Sequence, residues 1–390
     1  MSRIDEMLQE LCPDGVATMA LGGLLDYEQP GKYLVSSTDY HNDHETPVLT
    51  AGQTFILGYT NEVDGIYPAS TEHPVLIFDD FTTAFRWVDF PFKAKSSAMK
   101  MLTTKSNAPA LLRYVYFAMQ CIRYEPQDHA RHWIGKYSHF HIPVPPLEVQ
   151  REIVRVLDHF SQLEVELEAE LEARHRQYQY YRDKLVSEAI GAEYLRLGDV
   201  GSFVRGRRFT KDDVVDSGIP SIHYGEIYTE YGTFTNEAVR QVRVELRDQL
   251  RYAQPGSVVF AGVGETVADV GKAVAWLGNE PVATHDDTFV FTSPLNPKYV
   301  AYAVQTKEFH RQKERHVSRA KVKRLSAAGL ADIKIPVPNL TVQERIVETL
   351  GNFDALVNDS NFGLPAEISL RRKQYEHYRD RLLTFKEAAA

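Results

Sequence analysis

The sequence has only two cysteines among 390 residues, Cys12 and Cys121, which is too few for a disulfide framework and indicates a reducing compartment. No run approaches the roughly 18 uncharged apolar residues that a membrane-spanning helix requires. The first residues, MSRIDEMLQELCPDG, carry charges where a secretory signal peptide needs an apolar segment. These absences predict a cytoplasmic protein with no membrane partner.

Sequence motifs for nucleotide or methyl-transfer chemistry are also missing. No GxxxxGK[ST] phosphate loop occurs, and Gly262 and Gly264 lack the third glycine of a dinucleotide-binding loop. The chain contains no Asn-Pro-Pro-aromatic stretch of the adenine-methyltransferase type. We therefore predict a non-catalytic chain that binds no cofactor of its own.

Residue types that ligate metals occur in pairs, but without the pattern of a metal site. His129 with His132, and His139 with His141, have no cysteine partners, so ordinary loop or DNA-facing histidines are favoured over zinc ligands. The Asp79–Asp80 pair follows a short apolar run. Its acids either cap a turn, which we favour, or accept a hydrogen bond from a cytosine amino group.

Acidic residues outnumber basic ones, and the formal net charge of −9 argues against nucleic-acid binding as a bulk property. The basic residues are clustered, however. Residues 93–105 hold four lysines and no acid, residues 203–211 hold four cations and no acid, and residues 305–325 hold eight cations against two acids. Many acids lie elsewhere, as in LEVELEAELE at 163–172. Each basic run is either a solvated face or a segment that binds phosphates.

The two halves of the chain repeat the same sequence motifs in the same order. IPVPPLEVQREIV at 142–154 returns as IPVPNLTVQERIV at 335–347, and RQYQYYRDKL at 176–185 returns within RRKQYEHYRDRL at 371–382. Between them, further pairs match in order: Leu21-Gly22 with Leu197-Gly198, 47–52 with 220–225, 75–78 with 257–260, and 114–120 with 299–305. The sequence therefore predicts a duplicated unit of strands and loops, a proline-marked exit and a long helix.

The exits lead into segments with helical spacing of apolar residues. No glycine or proline interrupts residues 147–190, which predicts a rod of roughly 65 Å. In the second copy, Gly363 and Pro365 predict a helix end and restart. The helices are expected to pack against each other, or against partner subunits, through Ile153, Leu157, Phe160, Leu167, Tyr178, Tyr181, Ile346, Leu350, Phe353, Tyr375 and Tyr378.

The repeat predicts an α+β fold in which two mixed α/β domains are related by a pseudo-twofold axis and joined by two long antiparallel coiled-coil helices. The expected boundaries are 1–141 for the first domain, 142–193 for the central linker and spacer helix, 194–334 for the second domain and 335–390 for the C-terminal linker and broken helix. Two domains related in this way suit the reading of two short sites on one DNA duplex.

On these residues the chain resembles the specificity subunit of type I restriction–modification systems. The resemblance is carried by the two IPVPxLxVQxxIV exits, the paired QYxxYRDxL helix ends, the GLPAEI break and the stretches 49–61, 77–101, 222–234 and 260–278. It implies two target-recognition domains, each reading one half of a bipartite, asymmetric DNA target. It also implies helices that set the spacing and dock two methyltransferase subunits, and a motor–nuclease subunit that completes the restriction enzyme. The partner subunits are expected to use S-adenosylmethionine, ATP and magnesium.

Base contacts require donors and acceptors on loops that enter a groove, and phosphate contacts require cations. The candidates for base contact are Thr50, Gln53, Asp80, Thr82 and Thr83 in the first domain and His223, Tyr224, Glu226, Glu265 and Thr266 in the second. The candidates for phosphate contact are Lys93, Lys95, Lys100, Arg205, Arg207, Arg208, Lys272, Arg319, Lys321, Lys323 and Arg324.

The acidic stretch within 163–172 repeats every four residues, as V-E-L-E and A-E-L-E. One such unit adds about 6 Å to a helix, almost two base pairs of DNA at about 3.4 Å each, so the helix is expected to act as a ruler. Three alternatives remain: a specificity subunit of a methyltransferase without a nuclease, a non-catalytic coiled-coil scaffold, and a complete methyltransferase or nuclease in one chain.

Overall fold

The computed structural model describes residues 3–52, 54–128, 130–318, 320–359 and 361–388. The chain divides into two compact units. The first unit contains residues 1–166 and 369–390, and the second contains residues 167–368. Each unit is described separately below. No helix in the described ranges is both long enough and apolar enough to cross a membrane.

The described residues form twelve α-helices. In chain order they are α1 (Arg3–Leu11), α2 (Leu21–Leu24), α3 (Leu112–Gln120), α4 (His132–Gly135), α5 (Leu147–Ser187), α6 (Leu197–Val200), α7 (Glu226–Thr229), α8 (Pro297–Ala303), α9 (Lys307–Lys313), α10 (Ala327–Asp332), α11 (Leu340–Asn358) and α12 (Leu364–Leu382).

The strands are short and fall into two groups, one in each unit. Those of the first unit are β1 (Thr18–Ala20), β2 (Leu25–Glu28), β3 (Thr46–Leu49), β4 (Ile56–Thr60), β5 (Val75–Asp79), β6 (Phe85–Val88), β7 (Lys93–Ala94), β8 (Met99–Thr104) and β9 (His141–Pro143). Those of the second are β10 (Glu193–Arg196), β11 (Ser202–Arg205), β12 (Val214–Val215), β13 (Ile219–Ile222), β14 (Phe234–Thr235), β15 (Arg240–Val242), β16 (Tyr252–Ala253), β17 (Val258–Ala261), β18 (Val263–Gly264), β19 (Ala273–Trp276), β20 (Val282–Thr284), β21 (Thr288–Thr292), β22 (Lys323–Arg324) and β23 (Lys334–Val337).

The first unit is built on a four-stranded sheet in the order β2-β8-β5-β6 and a three-stranded sheet in the order β4-β3-β7. The central strand β5 is buried from Val75 to Phe78 and pairs antiparallel with both β6 and β8. Its alternate side chains enter two cores: Leu76 and Phe78 pack with α3, whereas Val75 and Ile77 pack under the three-stranded sheet. A strand buried on both faces reads as a continuous apolar run, as the sequence VLIF does.

The second unit contains two five-stranded sheets, in the orders β11-β21-β17-β19-β14 and β12-β15-β13-β20-β16. The central strand β17 is buried along its whole length between β19 and β21. In the other sheet, β13 pairs with β20 in parallel, Ser221 opposite Ala283 and Ile222 opposite Thr284. The residues that follow these two strands therefore emerge at the same edge of the sheet.

The predicted duplication recurs in individual hydrogen bonds. Tyr114 of α3 donates its hydroxyl to the Pro143 carbonyl at 2.9 Å, and Tyr299 of α8 donates to the Pro336 carbonyl at 2.8 Å. In both cases the acceptor is the first proline of the Ile-Pro-Val-Pro exit, so the tyrosine fixes the direction in which the exit leaves its domain. The mixed α/β fold and its repeat, expected from the sequence, are confirmed.

Each copy of the QYxxYRDxL motif belongs to a different unit from the domain that precedes it in the chain. The copy at 176–185 belongs to the second unit, and the copy at 371–382 belongs to the first. In the first unit, Tyr375 of α12 donates its hydroxyl to Gln120 at 2.7 Å. In the second unit, Arg182 of α5 donates to Gln305, the counterpart of Gln120, at 3.3 Å. Each unit is thus completed by the closing phrase of the other repeat, which explains why the chain carries the phrase twice.

The long first helix and the broken second helix form as the sequence predicts. Helix α5 has 41 residues, about 60 Å of helix at 1.5 Å per residue. In the second copy α11 ends at Asn358 and α12 begins at Leu364. The Asp359 carboxylate accepts the N–H groups of Asn361 and Phe362, and a Cβ on Gly363 would lie 2.5 Å from the Ala355 carbonyl oxygen. The break therefore requires both the aspartate and the glycine.

Residues proposed for helix packing contact each other within each unit. In the first unit, the Phe160 ring stacks on Tyr378 with centroids 5.4 Å apart, and Ile153 and Leu157 are buried in the core. Glu164 pairs with Arg372, so α5 and α12 run antiparallel there. In the second unit, the members of the set are Tyr178, Ile346 and Leu350, all buried, half-buried Leu167, and Tyr181 stacked on Phe353 at 5.7 Å.

Candidate nucleic-acid interface

In the first unit the candidate residues surround the hairpin between β5 and β6. Asp79 at the end of β5 accepts the N–H groups of Phe81 and Thr82 at 3.0 and 2.8 Å. Thr83 adopts a φ of 57°, an unusual conformation for a β-branched residue, and donates its N–H to the Asp79 carbonyl at 2.9 Å. Asp79 is therefore a turn cap, the reading favoured from the sequence, and it holds exposed Phe81 and Thr82 at the hairpin tip.

Beneath this hairpin lies a buried ion pair between Asp80 and Lys100. Their side chains are each 1% exposed, and the ammonium lies 2.9 Å from the carboxylate. Asp80 also accepts the Trp133 N–H at 2.7 Å, and the Lys100 ammonium lies 4.8 Å from the ring centre of Tyr27. The pair ties the hairpin to α4 and β8, so we assign Asp80 and Lys100 a structural role in place of the predicted DNA contact.

Three further candidates of the first unit also act within the protein. Buried Lys93 pairs with Glu62 at 2.7 Å, and Thr83 is buried, so neither is available to DNA. The Thr50 hydroxyl donates to the Thr54 carbonyl at 2.9 Å in a local turn. The remaining candidate cation of the segment 93–105, half-buried Lys95, donates to the Tyr40 hydroxyl at 3.1 Å. Gln53 lies outside the described residues.

In the second unit four of the candidates, Arg205, Arg208, His223 and Arg324, line a cavity of about 470 Å³ at the edge where β13 and β20 end. The lining residues include four arginines and two histidines and are Arg205, Arg208, Phe209, Thr210, Lys211, Val214, His223, Arg240, His285, Asp286, Asp287 and Arg324. Three of these arginines form ion pairs with acidic residues: Arg205 with Asp286, Arg324 with Asp287 and Arg240 with Glu226.

Two exposed arginines of the basic run 203–211, Arg207 and Arg208, have no such acidic partner. The side chains of Arg207 and Arg208 form no hydrogen bond or ion pair within the described ranges, and both follow β11. Gly206 between Arg205 and Arg207 is buried, and a Cβ there would lie 2.1 Å from the His285 carbonyl oxygen. The glycine lets the backbone pass close to the end of β20, so Arg208 lines the cavity and exposed Arg207 precedes it in the chain.

The turn after β13 is fixed by a buried carboxylate. Glu226 accepts the His223 N–H at 2.9 Å and lies 2.7 Å from Arg240 Nε, with its side chain 3% exposed. Burial raises the pKa of the Glu226 carboxyl. Glu226 therefore shapes the loop from inside, and we replace its predicted base contact with that structural role. Tyr224 is half-buried, with its ring centre 4.3 Å from that of His223.

The other candidates of the second unit lie on the loop 265–272 and in or next to β22. Glu265 is exposed, the Thr266 hydroxyl donates to Asp269 at 2.6 Å, and Lys272 pairs with Asp269 at 3.2 Å. Lys323 donates to the Ala320 carbonyl at 3.0 Å. Lys321 is exposed, and Arg319 lies outside the described residues.

Within the described ranges, one group brings three metal-ligating atoms within 4.8 Å of one another: His285, Asp286 and Asp287. Arg205 lies 3.6 Å from Asp286, and Arg324 lies 3.4 Å from Asp287. Because both carboxylates already face guanidinium groups, the group is an ion-pair network rather than a prepared cation site.

Comparison with known proteins decides the family. The model of the type I restriction modification DNA specificity domain matches the chain twice, over residues 13–174 and 190–370.

The chain belongs to this family.

Individual specificity subunits match over most or all of the chain. The specificity subunit of the type I restriction enzyme EcoR124I/EcoR124II from Escherichia coli is 40% identical, over 99% of this chain and 97% of its own. A type I restriction enzyme specificity subunit from Haemophilus influenzae is 29% identical over 70% of this chain and 72% of its own. The protein is thus a type I specificity subunit, a DNA-recognition subunit with two target-recognition domains, as the resemblance implied.

Two solved structures share the fold at low sequence identity. The S subunit of a type I restriction–modification system from M. genitalium has a TM-score of 0.53 at 13% identity, covering 94% of this chain and 96% of its own. A chain from a study of type I complex assembly and conformational transition has a TM-score of 0.57 at 14% identity, covering 92% and 97%.

Sequence reasoning on this specificity subunit missed several residues that shape the cavity of the second unit. His285, Phe209 and Arg240 are far apart in the sequence and show no motif, and only the parallel pairing of β13 with β20 brings His285 to His223. Buried Lys313 was also missed. It donates to the Ala268 and Val270 carbonyls at 3.3 and 2.7 Å, and burial lowers its pKa to about 8.

Proposed function

We propose that this specificity subunit reads a bipartite duplex target, with the β5–β6 hairpin of the first unit reading one half and the cavity of the second unit reading the other. We further propose that the recognition domains span 1–141 and 194–334, with 142–193 and 335–390 as linker and helix segments. Within the candidate set, the base-contact proposals that agree with their burial are exposed Thr82, the turn Glu265–Thr266, His223 at the cavity and its half-buried neighbour Tyr224.

The observation that carries the proposal is a pair of exposed arginines with no ion-pair partner in the described ranges, Arg207 and Arg208, of which Arg208 lines the cavity. Cations without an internal acid are available for phosphate, whereas Arg324 and Lys272 already face carboxylates. A net-acidic protein can hold DNA in this way because counterions are released only where cations meet phosphates.

The test is the salt dependence of duplex binding by Arg207→Ala/Arg208→Ala. Each phosphate contact contributes about −0.9 to the slope of log K against log salt. The double variant is therefore expected to bind more weakly, with a slope that is less negative by about 2. Arg174→Ala/Arg176→Ala is the matched control, since it removes the same charge from exposed ion pairs on α5. A slope that changes no more than in this control contradicts the assignment.

The partners are proposed on the family relationship. Two methyltransferase subunits that use S-adenosylmethionine would dock on this chain, and a motor–nuclease subunit that uses ATP and magnesium would join them. Co-expression with the methyltransferase, followed by genome-wide mapping of methylated adenines, tests the first part. A methylated split motif supports it, and the absence of sequence-specific methylation contradicts it. Adding the nuclease subunit separates a restriction enzyme from a methyltransferase-only complex.

A further inference from the structure

Two histidines stand side by side in the second unit because two parallel strands end there. His223 follows β13 and His285 follows β20, and their ring centres lie 4.4 Å apart. The Phe209 ring lies 4.9 Å from His285, and both histidines line the cavity of about 470 Å³. The packing holds each ring in place before any ligand binds.

The backbone fixes the tautomer of both rings. Gly225 donates its N–H to Nδ1 of His223 at 3.2 Å, and Asp287 donates its N–H to Nδ1 of His285 at 3.1 Å. A backbone N–H can only donate, so each Nδ1 must be the accepting nitrogen, and the ring proton of a neutral histidine must be on Nε2.

The two Nε2–H groups differ in what they meet. Nε2 of His285 faces the Phe209 carbonyl at 3.2 Å and Asp286 at 3.3 Å, so its proton is occupied. Nε2 of His223 has no acceptor within the described ranges. This nitrogen is not fully buried, so it is accessible to solvent. His223 therefore presents one oriented and unused donor at the cavity.

The donor of His223 is neutral at physiological pH. Burial lowers its pKa to about 4, and the neighbouring His285 and Arg240 act in the same direction. A neutral ring adds nothing to phosphate attraction, which we assign to Arg207 and Arg208. What a single oriented N–H can do is distinguish an acceptor from a donor.

We propose that His223 is a specificity-determining residue of the second target-recognition domain, whose Nε2–H donates to an acceptor on a base edge in the major groove, namely guanine O6 or N7, thymine O4 or adenine N7. Cytosine presents an amino donor in that groove, so His223 selects against cytosine at one position of the second half-site. This inference rests on the proposed function, and it adds which atom reads and which base class it rejects.

The experiment combines a protein variant with base analogues. His223→Phe keeps an aromatic ring in the stack and removes the donor, and His73→Phe, at an exposed histidine of the first unit, is the matched control. Both chains are co-expressed with the methyltransferase, and methylated adenines are mapped. His223→Phe is expected to accept cytosine at one position of the second half-site, with preference lowered about tenfold and the first half-site unchanged.

Binding of duplex analogues gives a second readout that does not depend on the variant alone. The unaltered complex is tested on target duplexes in which each guanine of the second half-site is replaced by 2-aminopurine, which lacks O6, or by 7-deazaguanine. In the same series each adenine is replaced by 7-deazaadenine and each thymine by an analogue lacking O4. One replacement is expected to weaken binding about tenfold in the unaltered complex and not at all in His223→Phe.

The outcomes separate the two levels of the hypothesis. If the unaltered complex methylates no specific sequence, the proposed function itself is wrong. If it does, but no analogue weakens its binding, or if His223→Phe keeps the full analogue effect and the original target, then His223 is not a reading residue. If His223→Phe does not fold, as its melting temperature would show, the analogue series on the unaltered complex decides by itself.

Discussion

The exits from the two units offer a quantitative test of the duplication, because each depends on one buried glutamine. Gln150 is fully buried, and its side-chain amide makes three hydrogen bonds. It accepts the Leu111 N–H at 2.9 Å and donates to the carbonyls of Pro109 and Pro145 at 2.8 and 2.7 Å. Gln150→Ala removes all three bonds and leaves a donor and two acceptors in the interior.

The counterpart in the second copy makes one bond fewer. Gln343 accepts the Asn296 N–H at 2.9 Å and donates to the Pro338 carbonyl at 2.7 Å. A buried polar group left without a partner costs about 1–3 kcal/mol, less where water enters the space. We therefore expect a loss of about 3–5 kcal/mol of unfolding free energy for Gln150→Ala and about 2–3 kcal/mol for Gln343→Ala.

Guanidinium unfolding followed by tryptophan fluorescence can assign each loss to a unit. Trp87 and Trp133 report on the first unit and Trp276 on the second. The control is Gln162→Ala on exposed α5, where the amide bonds only Glu166, and a change below about 0.5 kcal/mol is expected. Losses under 1 kcal/mol for both buried glutamines, or a larger loss for the second, would refute the reasoning.

Three other predictions test the ruler, the histidines and the buried ion pair. Deleting Glu166–Ala169 shortens α5 by about 6 Å, which is the largest distance by which the recognition domains can move closer along DNA. Methylome mapping should therefore show that the gap between the two half-sites is shorter by one or two base pairs, and an unchanged gap contradicts the ruler hypothesis. Burial lowers the pKa of His223 and His310 from 6.5 to about 4, so only the unfolded chain gains these protons as the pH falls below 6.5. Stability should fall by about 1 kcal/mol per histidine between pH 7 and 5 after allowance for partial exposure, and a constant denaturation midpoint contradicts this. Lys100→Met leaves the Asp80 charge buried and should cost about 3–5 kcal/mol, with part of the loss recovered in Lys100→Met/Asp80→Asn; equal stability of the two variants would exclude the ion pair as the cause.

The sequence was informative wherever the signal is local or repeated. Apolar residues at helical spacing without glycine or proline predicted α5, and Gly363 with Pro365 predicted the break between α11 and α12. These features depend on backbone preferences of neighbouring residues, so they can be read without a tertiary structure. The paired exits and helix ends, taken together, were specific enough to indicate the family.

The candidate site was less predictable, since a cation in a basic run gives no sign of what it will face. Lys95, Lys100 and Lys93 belong to one lysine-rich segment, yet two of them are buried against acids. Likewise, Glu226 looked like an exposed loop acceptor and is a buried support for the turn. Their acidic partners come from other elements, and that pairing depends on the packed sheets.

By itself, then, the sequence determined the periodic and duplicated features of this specificity subunit: its helices, its proline-marked exits and its two related domains. The tertiary structure alone decided which polar residues form hydrogen bonds or ion pairs within the protein and which remain available to a ligand. It alone placed the closing phrase of each repeat in the opposite unit and set His223 beside His285. The physical reason is that burial and hydrogen-bond partnership depend on residues distant in the chain, which only the pairing of strands and the packing of helices bring within reach.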